Sequence, residues 1–269
     1  MRQVRLHRNS PQSEWQAAYR RAVESPDLER ARLLVEEAAD RLSNRLLRSD
    51  NPVMAWSGGK DSIALQPVAE LAGVSESFIV LADERLEVPE FEEFVRSSAA
   101  PQGLYIERRS EVNLEWLAQR PNLVMPQTSK GAATWYRSVQ HTGQRNYAKR
   151  NSVDLMILGR RRADGNVVGR KKGEIEYVDR GGFTRYSPLA AWSHEDVLNV
   201  IAAYGLKLPS IYDHSRGFLV GTGPWAARTG TKSVAEGWWE VAEIDLELVR
   251  LSAEHNLYGA VEALKQLSP

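Results

Sequence analysis

The sequence predicts an α/β fold: an open, mostly parallel sheet with helices on both faces and helical extensions at the N- and C-terminal ends. Three observations carry that prediction. Short apolar runs recur at Val53 to Trp56, Ser77 to Ala82 and Leu155 to Leu158, as in parallel strands buried on both faces. Amphipathic stretches alternate with these runs. Proline or glycine punctuates the junctions, at Pro52, Gly73 and Gly159.

The elements follow in order. Ser13 stands where it can cap a first helix running through Ser25. A second helix over Leu28 to Arg48 sets Ala31, Val35, Ala38, Leu42 and Leu46 on one stripe, and Asn51-Pro52 stops it. After the first strand a helix runs from Ser62 to Leu71 and ends at Gly73. The second strand leads to a helix over Val88 to Ala99, a third strand over Leu104 to Arg108 and a short helix over Leu114 to Gln119. Lys130 to Arg150 forms one long helix, and the fourth strand ends at Gly159. Glu174 to Val178 and Phe183 to Tyr186 flank Gly181-Gly182 as a hairpin. Ser193 heads a helix to Tyr204, with Asp196 at the third position after the cap. A single helix over Val234 to His255 follows. The organisation expected is a helical extension over residues 1–50, a core over 51–213, and a loop and helical tail over 214–269.

Composition narrows the function classes. The 269 residues are 42% hydrophobic and 26% charged, an ordinary globular balance with ample length for a core. No stretch approaches the ~20 apolar residues that cross a bilayer, and no basic-then-apolar leader opens the chain. The expectation is a cytoplasmic protein without a membrane partner. There is no cysteine, which excludes disulfides, zinc–thiolate sites, cysteine-ligated iron–sulfur clusters and thiol nucleophiles. Residues 1–127 carry 16 basic and 20 acidic side chains, residues 128–185 carry 13 and 5, and residues 186–269 carry 6 and 10. The zero net charge therefore hides a basic middle segment, which suits an anionic ligand or nucleic acid. The five histidines show no metal-ligand spacing. Among them, His194 is expected as a surface residue at a helix N-terminus. Trp238 and Trp239 are expected in the core or an interface. Gly221-x-Gly223-x-x-Ala226 mimics a dinucleotide fingerprint, but Pro224 interrupts it.

The strongest chemical signal is Ser57-Gly58-Gly59-Lys60-Asp61-Ser62, set between an apolar strand and an amphipathic helix. Two glycines let the backbone turn sharply and bring N–H groups close to an anion. The helix adds unpaired N–H groups and the positive end of its dipole. Ser57 and Ser62 add hydroxyls, and Lys60 adds charge. This is a phosphate cradle of a form other than Walker A, which would need glycine where Met54 stands.

At these residues the chain resembles the PP-loop adenine-nucleotide α-hydrolase superfamily. Within it, the chain is most similar to phosphoadenosine-phosphosulfate reductases and to the catalytic small subunit of bacterial ATP sulfurylase. Further segments carry the likeness in the family's order: Ala82-Asp83-Glu84 and Val88-Pro89-Glu90, then Gly159-Arg160-Arg161-Arg162-Ala163-Asp164 with Arg170 beyond. Ser187-Pro188-Leu189, Trp192-Ser193-His194-Glu195-Asp196-Val197 and Leu208-Pro209-Ser210-Ile211-Tyr212-Asp213 complete it. The resemblance implies a PP-loop core over 51–213 in which Ser57, Gly58, Gly59, Lys60, Asp61 and Ser62 hold phosphates. Asp83 would line the base and ribose. Lys60, Arg161 and Arg162 would carry the catalysis, with Asp61 as a metal ligand. ATP and Mg²⁺ are the cofactors it implies, and a homodimer is the assembly it suggests.

The departures matter equally. Reductases of the family attack with a cysteine near the C-terminus, and this chain has Gly221 to Arg228 there instead. Thiol-based reduction by this chain alone is therefore excluded. Adenylyl transfer needs positioning and charge stabilisation but no protein nucleophile. Three functions stay open at this level. The first is cleavage of the α–β phosphate bond of ATP, with adenylyl transfer to sulfate or another oxygen and pyrophosphate release. The second is a reductase-like sulfonucleotide-binding protein that lacks its own thiol. The third is a non-catalytic nucleotide- or nucleic-acid-binding module using the basic segment 128–185.

Overall fold

The computed structural model describes residues 5–267. Helices α1 (Gln12–Glu24) and α2 (Leu28–Leu46) precede strand β1 (Pro52–Ala55). Next come α3 (Lys60–Leu71), β2 (Ser77–Ala82), α4 (Pro89–Val95), β3 (Tyr105–Arg109), α5 (Leu114–Ala118), α6 (Ser129–Tyr136), α7 (Thr142–Arg150) and β4 (Leu155–Leu158). The chain continues through β5 (Glu176–Val178), β6 (Thr184–Tyr186), α8 (His194–Ala203), α9 (Gly217–Val220), α10 (Val234–Ile244), α11 (Leu246–Glu254) and α12 (Ala260–Leu267).

The strands form one sheet in the order β3-β2-β1-β4-β6-β5. β1 runs parallel to β2 and β4, β4 runs parallel to β6, and the β5–β6 hairpin is antiparallel. β2 and β4 are buried along their whole length, as runs that are apolar but for Ser77 require. The chain builds outward from β1 to β2 and β3, then returns to place β4 on the other side of β1. In the register, Ala55 lies opposite Leu158. The loops that leave β1 and β4 therefore start side by side where the strand order reverses, which is where open α/β sheets form their ligand crevice.

The chain divides into two compact units. The first comprises residues 1–79, 97–105 and 145–209, and the second comprises 80–96, 106–144 and 210–269. In the first, α1 packs on α8, and α2 packs on α3 and α8. The stripe Ala31, Val35, Ala38 and Leu42 is buried at this contact, and Leu46 is half-buried at its end. Phe78 of β2 stacks flat on Tyr147 of α7, with centroids 3.9 Å apart. In the second unit α10 packs on α11 and α12. Trp225 and Trp238 are fully buried there with centroids 5.6 Å apart, whereas Trp239 is 52% exposed.

Several boundaries differ from expectation for identifiable reasons. α1 begins after Pro11, with no side-chain cap, so Ser13 lies inside the helix. The helix expected over Val88 to Ala99 stops at Val95. The one expected over Lys130 to Arg150 contains a π-helical turn at Arg137–His141, where the Thr142 hydroxyl donates to the Arg137 carbonyl at 2.8 Å. The expected Val234 to His255 helix breaks at Asp245, whose backbone is extended and whose carboxylate accepts from Glu247 N at 2.9 Å. A capping side chain there starts α11 afresh. The predicted cap of α8 is present: Ser193 Oγ accepts from Asp196 N, and Asp196 Oδ2 accepts from Ser193 N.

Candidate functional site

β1 ends in the Ser57 to Ser62 loop, and α3 begins at Lys60. Gly58 has φ +65°, a left-handed conformation that a side chain would strain. The loop is folded onto itself by its two serines. Ser62 Oγ donates to Gly59 O at 2.9 Å and accepts from Ser57 N at 3.1 Å, and it lies 3.2 Å from Ser57 Oγ. Ser57 is exposed, while Gly58 and Ser62 are buried. The first-turn N–H groups of α3 have no acceptor within the helix, and the dipole adds positive potential to them.

The loop leaving β4 abuts this turn. A Cβ added at Gly159 would stand 2.6 Å from the Asp61 carbonyl oxygen, so only glycine permits the approach. Two residues on, the Arg161 side chain is fully buried and its donors are spent on the protein. Nε donates to Asp61 Oδ1 at 2.8 Å, and Nη1 donates to Trp192 O at 3.2 Å. Nη2 lies 2.8 Å from Asp61 Oδ1, 2.9 Å from Asp164 Oδ2 and 3.1 Å from His194 Nδ1. Arginine can only donate, so His194 Nδ1 is the acceptor and the proton of the neutral ring sits on Nε2. Lys60 Nζ lies 2.9 Å from Asp61 Oδ2, 3.7 Å from Asp164 Oδ1 and 5.3 Å from the centre of the Trp15 ring. The edge of Trp15 meets His194 at 4.8 Å. Helix α1 and two strand-end loops thus converge on a cluster of two cations, two carboxylates and a neutral imidazole.

The protonation states follow from this packing. Burial pushes the Asp61 carboxyl up, but Lys60 and Arg161 outweigh it and hold Asp61 below its ordinary range. Asp164 moves the other way, because burial and the neighbouring Asp61 charge exceed the help from Lys60 and Arg161. Burial first, then the Arg161 and Lys60 charges, depress His194 to about 4.

Several expectations are corrected by this geometry. His194 is 3% exposed rather than a surface residue. Lys60, expected to hold phosphate, is 8% exposed and bonded to Asp61. Arg161 points inward and joins α3 to the β4 loop, so its guanidinium is not offered to a ligand. Both Asp61 carboxylate oxygens are taken by Arg161 and Lys60, which does not fit a metal ligand. Among the described residues no group of three or more His, Asp or Glu side chains could hold a metal ion. Arg162 is exposed, with Nη2 donating to Glu174 O at 2.7 Å. Arg160 Nη1 donates to the Tyr177 hydroxyl at 2.8 Å. Asp83 belongs to the second unit, where its carboxylate accepts from Arg85 N and Nε and caps a short turn. Trp15 was not signalled by the sequence, since nothing in α1 marks it apart from other buried aromatic residues. His194 adjoins the Trp192-Ser193 segment, which did carry a signal.

Residues 51–220 match the family described as phosphoadenosine phosphosulfate reductase domain. No curated protein sequence matches the chain. Among solved structures, the chain is similar to the phosphate complex of phosphoadenylyl-sulfate reductase from Candida auris. The identity is 15%, over 75% of this chain and 91% of that one, with a TM-score of 0.49. For FMN adenylyltransferase from Candida glabrata, in complex with FAD and inorganic pyrophosphate, the values are 12%, 70%, 64% and 0.43. For the U34-tRNA thiolase from Methanococcus maripaludis with its [4Fe-4S] cluster they are 16%, 88%, 80% and 0.44. The cofactor expectation, ATP with Mg²⁺ and no cluster, is corrected at the metal ligand, since both Asp61 oxygens are engaged by Arg161 and Lys60. The U34-tRNA thiolase carries an iron–sulfur cluster, and this sequence offers no cysteine to ligate one. No helix among the described residues is long and apolar enough to cross a membrane.

Proposed function

The chain belongs to the phosphoadenosine phosphosulfate reductase domain family, and we propose that it binds an adenine nucleotide at the Ser57 to Ser62 loop and transfers its adenylyl group. In this reading an acceptor oxygen attacks the α-phosphorus, the α–β bridge breaks, and pyrophosphate leaves with the bonding electron pair. The observation that carries the proposal is the loop at the sheet's switch point. Its left-handed Gly58, the exposed Ser57 hydroxyl and the first-turn N–H groups of α3, held in place by Ser62, form a preorganised donor set for phosphate oxygens. Ser57 Oγ is the exposed hydroxyl of that set.

Arg161 and Asp61 act here as positioning residues that fix α3 against the β4 loop. Arg162, exposed beside them, is the guanidinium we assign to the charge that develops on the leaving pyrophosphate. Adenylyl transfer is favoured over reduction because the sequence has no thiol to attack a sulfonucleotide.

The test is calorimetry of ATP binding combined with pyrophosphate release. Ser57→Ala should lose one phosphate hydrogen bond, about 1.5–3 kcal/mol, or roughly a 10- to 150-fold weaker affinity. Gly58→Val should abolish binding, because a β-branched residue does not accept φ +65°. Unchanged ATP affinity in both variants would remove the loop from the site. Sulfite production from phosphoadenosine phosphosulfate by the pure protein with reduced thioredoxin would overturn the choice of reaction.

A further inference from the structure

The loop and hairpin that follow Arg161 carry a second signal. Arg162, Arg170, Lys171, Lys172 and Arg180 are all exposed. None of the five forms an ion pair among the described residues. Exposed arginines elsewhere commonly do: Arg32 with Glu36, Arg41 with Glu37, Arg96 with Glu84 and Arg250 with Glu247. Two of the three guanidiniums are held by neutral acceptors instead. Arg162 Nη2 donates to Glu174 O, and Arg170 Nη2 donates to Val178 O. These holds orient the side chains without cancelling their charge.

The arm is also rigidly shaped. Glu174 Oε2 accepts from the backbone N–H of Arg170 and of Lys171, at 3.0 and 2.9 Å. A Cβ at Gly169 would stand 2.4 Å from Glu174 O, and Gly173 has φ +91°. The two carbonyls that anchor the guanidiniums are four residues apart where the chain enters β5, a span of up to about 13 Å. Cations spread over that length suit a row of phosphates better than a single one. The stretch 160–180 has no Trp, Phe or Leu to enter a lipid surface. Its first residues adjoin the phosphate loop through the Gly159–Asp61 approach.

We infer that this arm is a docking surface for a nucleic-acid strand, which runs along residues 162–180 and ends beside the Ser57 to Ser62 loop. Resting on the adenylyl chemistry proposed above, this makes a nucleic-acid oxygen the acceptor class.

The experiment uses the full chain and fluorescently labelled 20-nucleotide single strands of RNA and of DNA, followed by anisotropy from 50 to 200 mM salt. Five phosphate contacts predict a slope of log K against log salt of about −3.5. The variant Lys171→Ala/Lys172→Ala/Arg180→Ala removes side chains that make no hydrogen bond among the described residues. It should lower affinity at least tenfold at 50 mM salt and bring the slope to about −1.4, with ATP binding unchanged by calorimetry. Tighter binding of RNA than DNA would identify the 2′-hydroxyl as part of the recognition, and equal binding would identify the phosphate backbone alone. The inference is overturned if neither strand binds, if the triple variant binds as the wild type does, or if only anionic vesicles bind. Strand binding that survives Gly58→Val would separate this surface from the nucleotide site, so that failure of either reading is seen by itself.

Discussion

Replacing Arg161 with methionine tests the central joint of the site. The substitution keeps much of the side-chain volume and removes a fully buried guanidinium that contacts Asp61, Asp164, His194 Nδ1 and the Trp192 carbonyl. Asp61 and Asp164 are then left with Lys60 as their shared cation. Breaking a buried pair by removing one partner costs about 3–5 kcal/mol, because the other charge stays desolvated. Urea unfolding at pH 7 should show this loss. With a slope of about 2–3 kcal/mol/M, the midpoint falls by about 1–2 M. Arg161→Met/Asp61→Asn should cost at least about 1.5 kcal/mol less than the sum of its two single substitutions, since the partner left uncompensated is now neutral. The pH dependence has a defined sign. Asp61 is held below its ordinary range, so its contribution is complete above the unfolded value and is lost only as pH falls through the lower folded one. A midpoint within about 0.3 M of wild type, or strictly additive costs, would refute the view that Arg161 joins α3 to the β4 loop.

Gly159→Ala places a Cβ against backbone rather than against a movable side chain. It should destabilise by about 1–3 kcal/mol and weaken ATP binding, and unaltered melting would contradict the close approach. In the second unit, burial lifts Glu87 to about 8 from 4.5, and Ala82 N is the hydrogen-bond donor to its Oε1. The folded protein then binds a proton that the unfolded chain has released, so stability falls as pH rises from about 4.5 to 8. Glu87→Gln should flatten that fall and give the higher melting temperature at pH 8, and parallel curves for the two proteins would exclude it. His194, depressed to about 4 by burial and by Arg161 and Lys60, contributes stability above its unfolded value that is lost as pH falls through about 4. NMR titration of its ring should find no protonation between pH 7 and 5.

Much of the architecture was legible in the chain. The runs 77–82 and 155–158, apolar except at Ser77, match β2 and β4 residue for residue. The stripe from Ala31 to Leu42, the Ser193–Asp196 cap and the Gly58-Gly59 turn are local patterns, set by side chains within one or two turns of each other. Sequence also settled what the chain cannot do, because a thiol that is not encoded cannot react. What it left undecided is where each charge ends up. Lys60, Arg161 and His194 look alike as exposed polar residues when read along the chain. Only the return of β4 beside β1 brings Asp61 within 2.8 Å of an arginine 100 residues away, and only the packing of α1 on α8 brings Trp15 against His194. Burial of a charge depends on partners drawn from distant segments, and the free energy that keeps it buried comes from those partners rather than from its neighbours in the sequence. Local pattern therefore determined the elements and the phosphate turn, while tertiary structure decided which cations are spent inside the protein and which are left for a ligand.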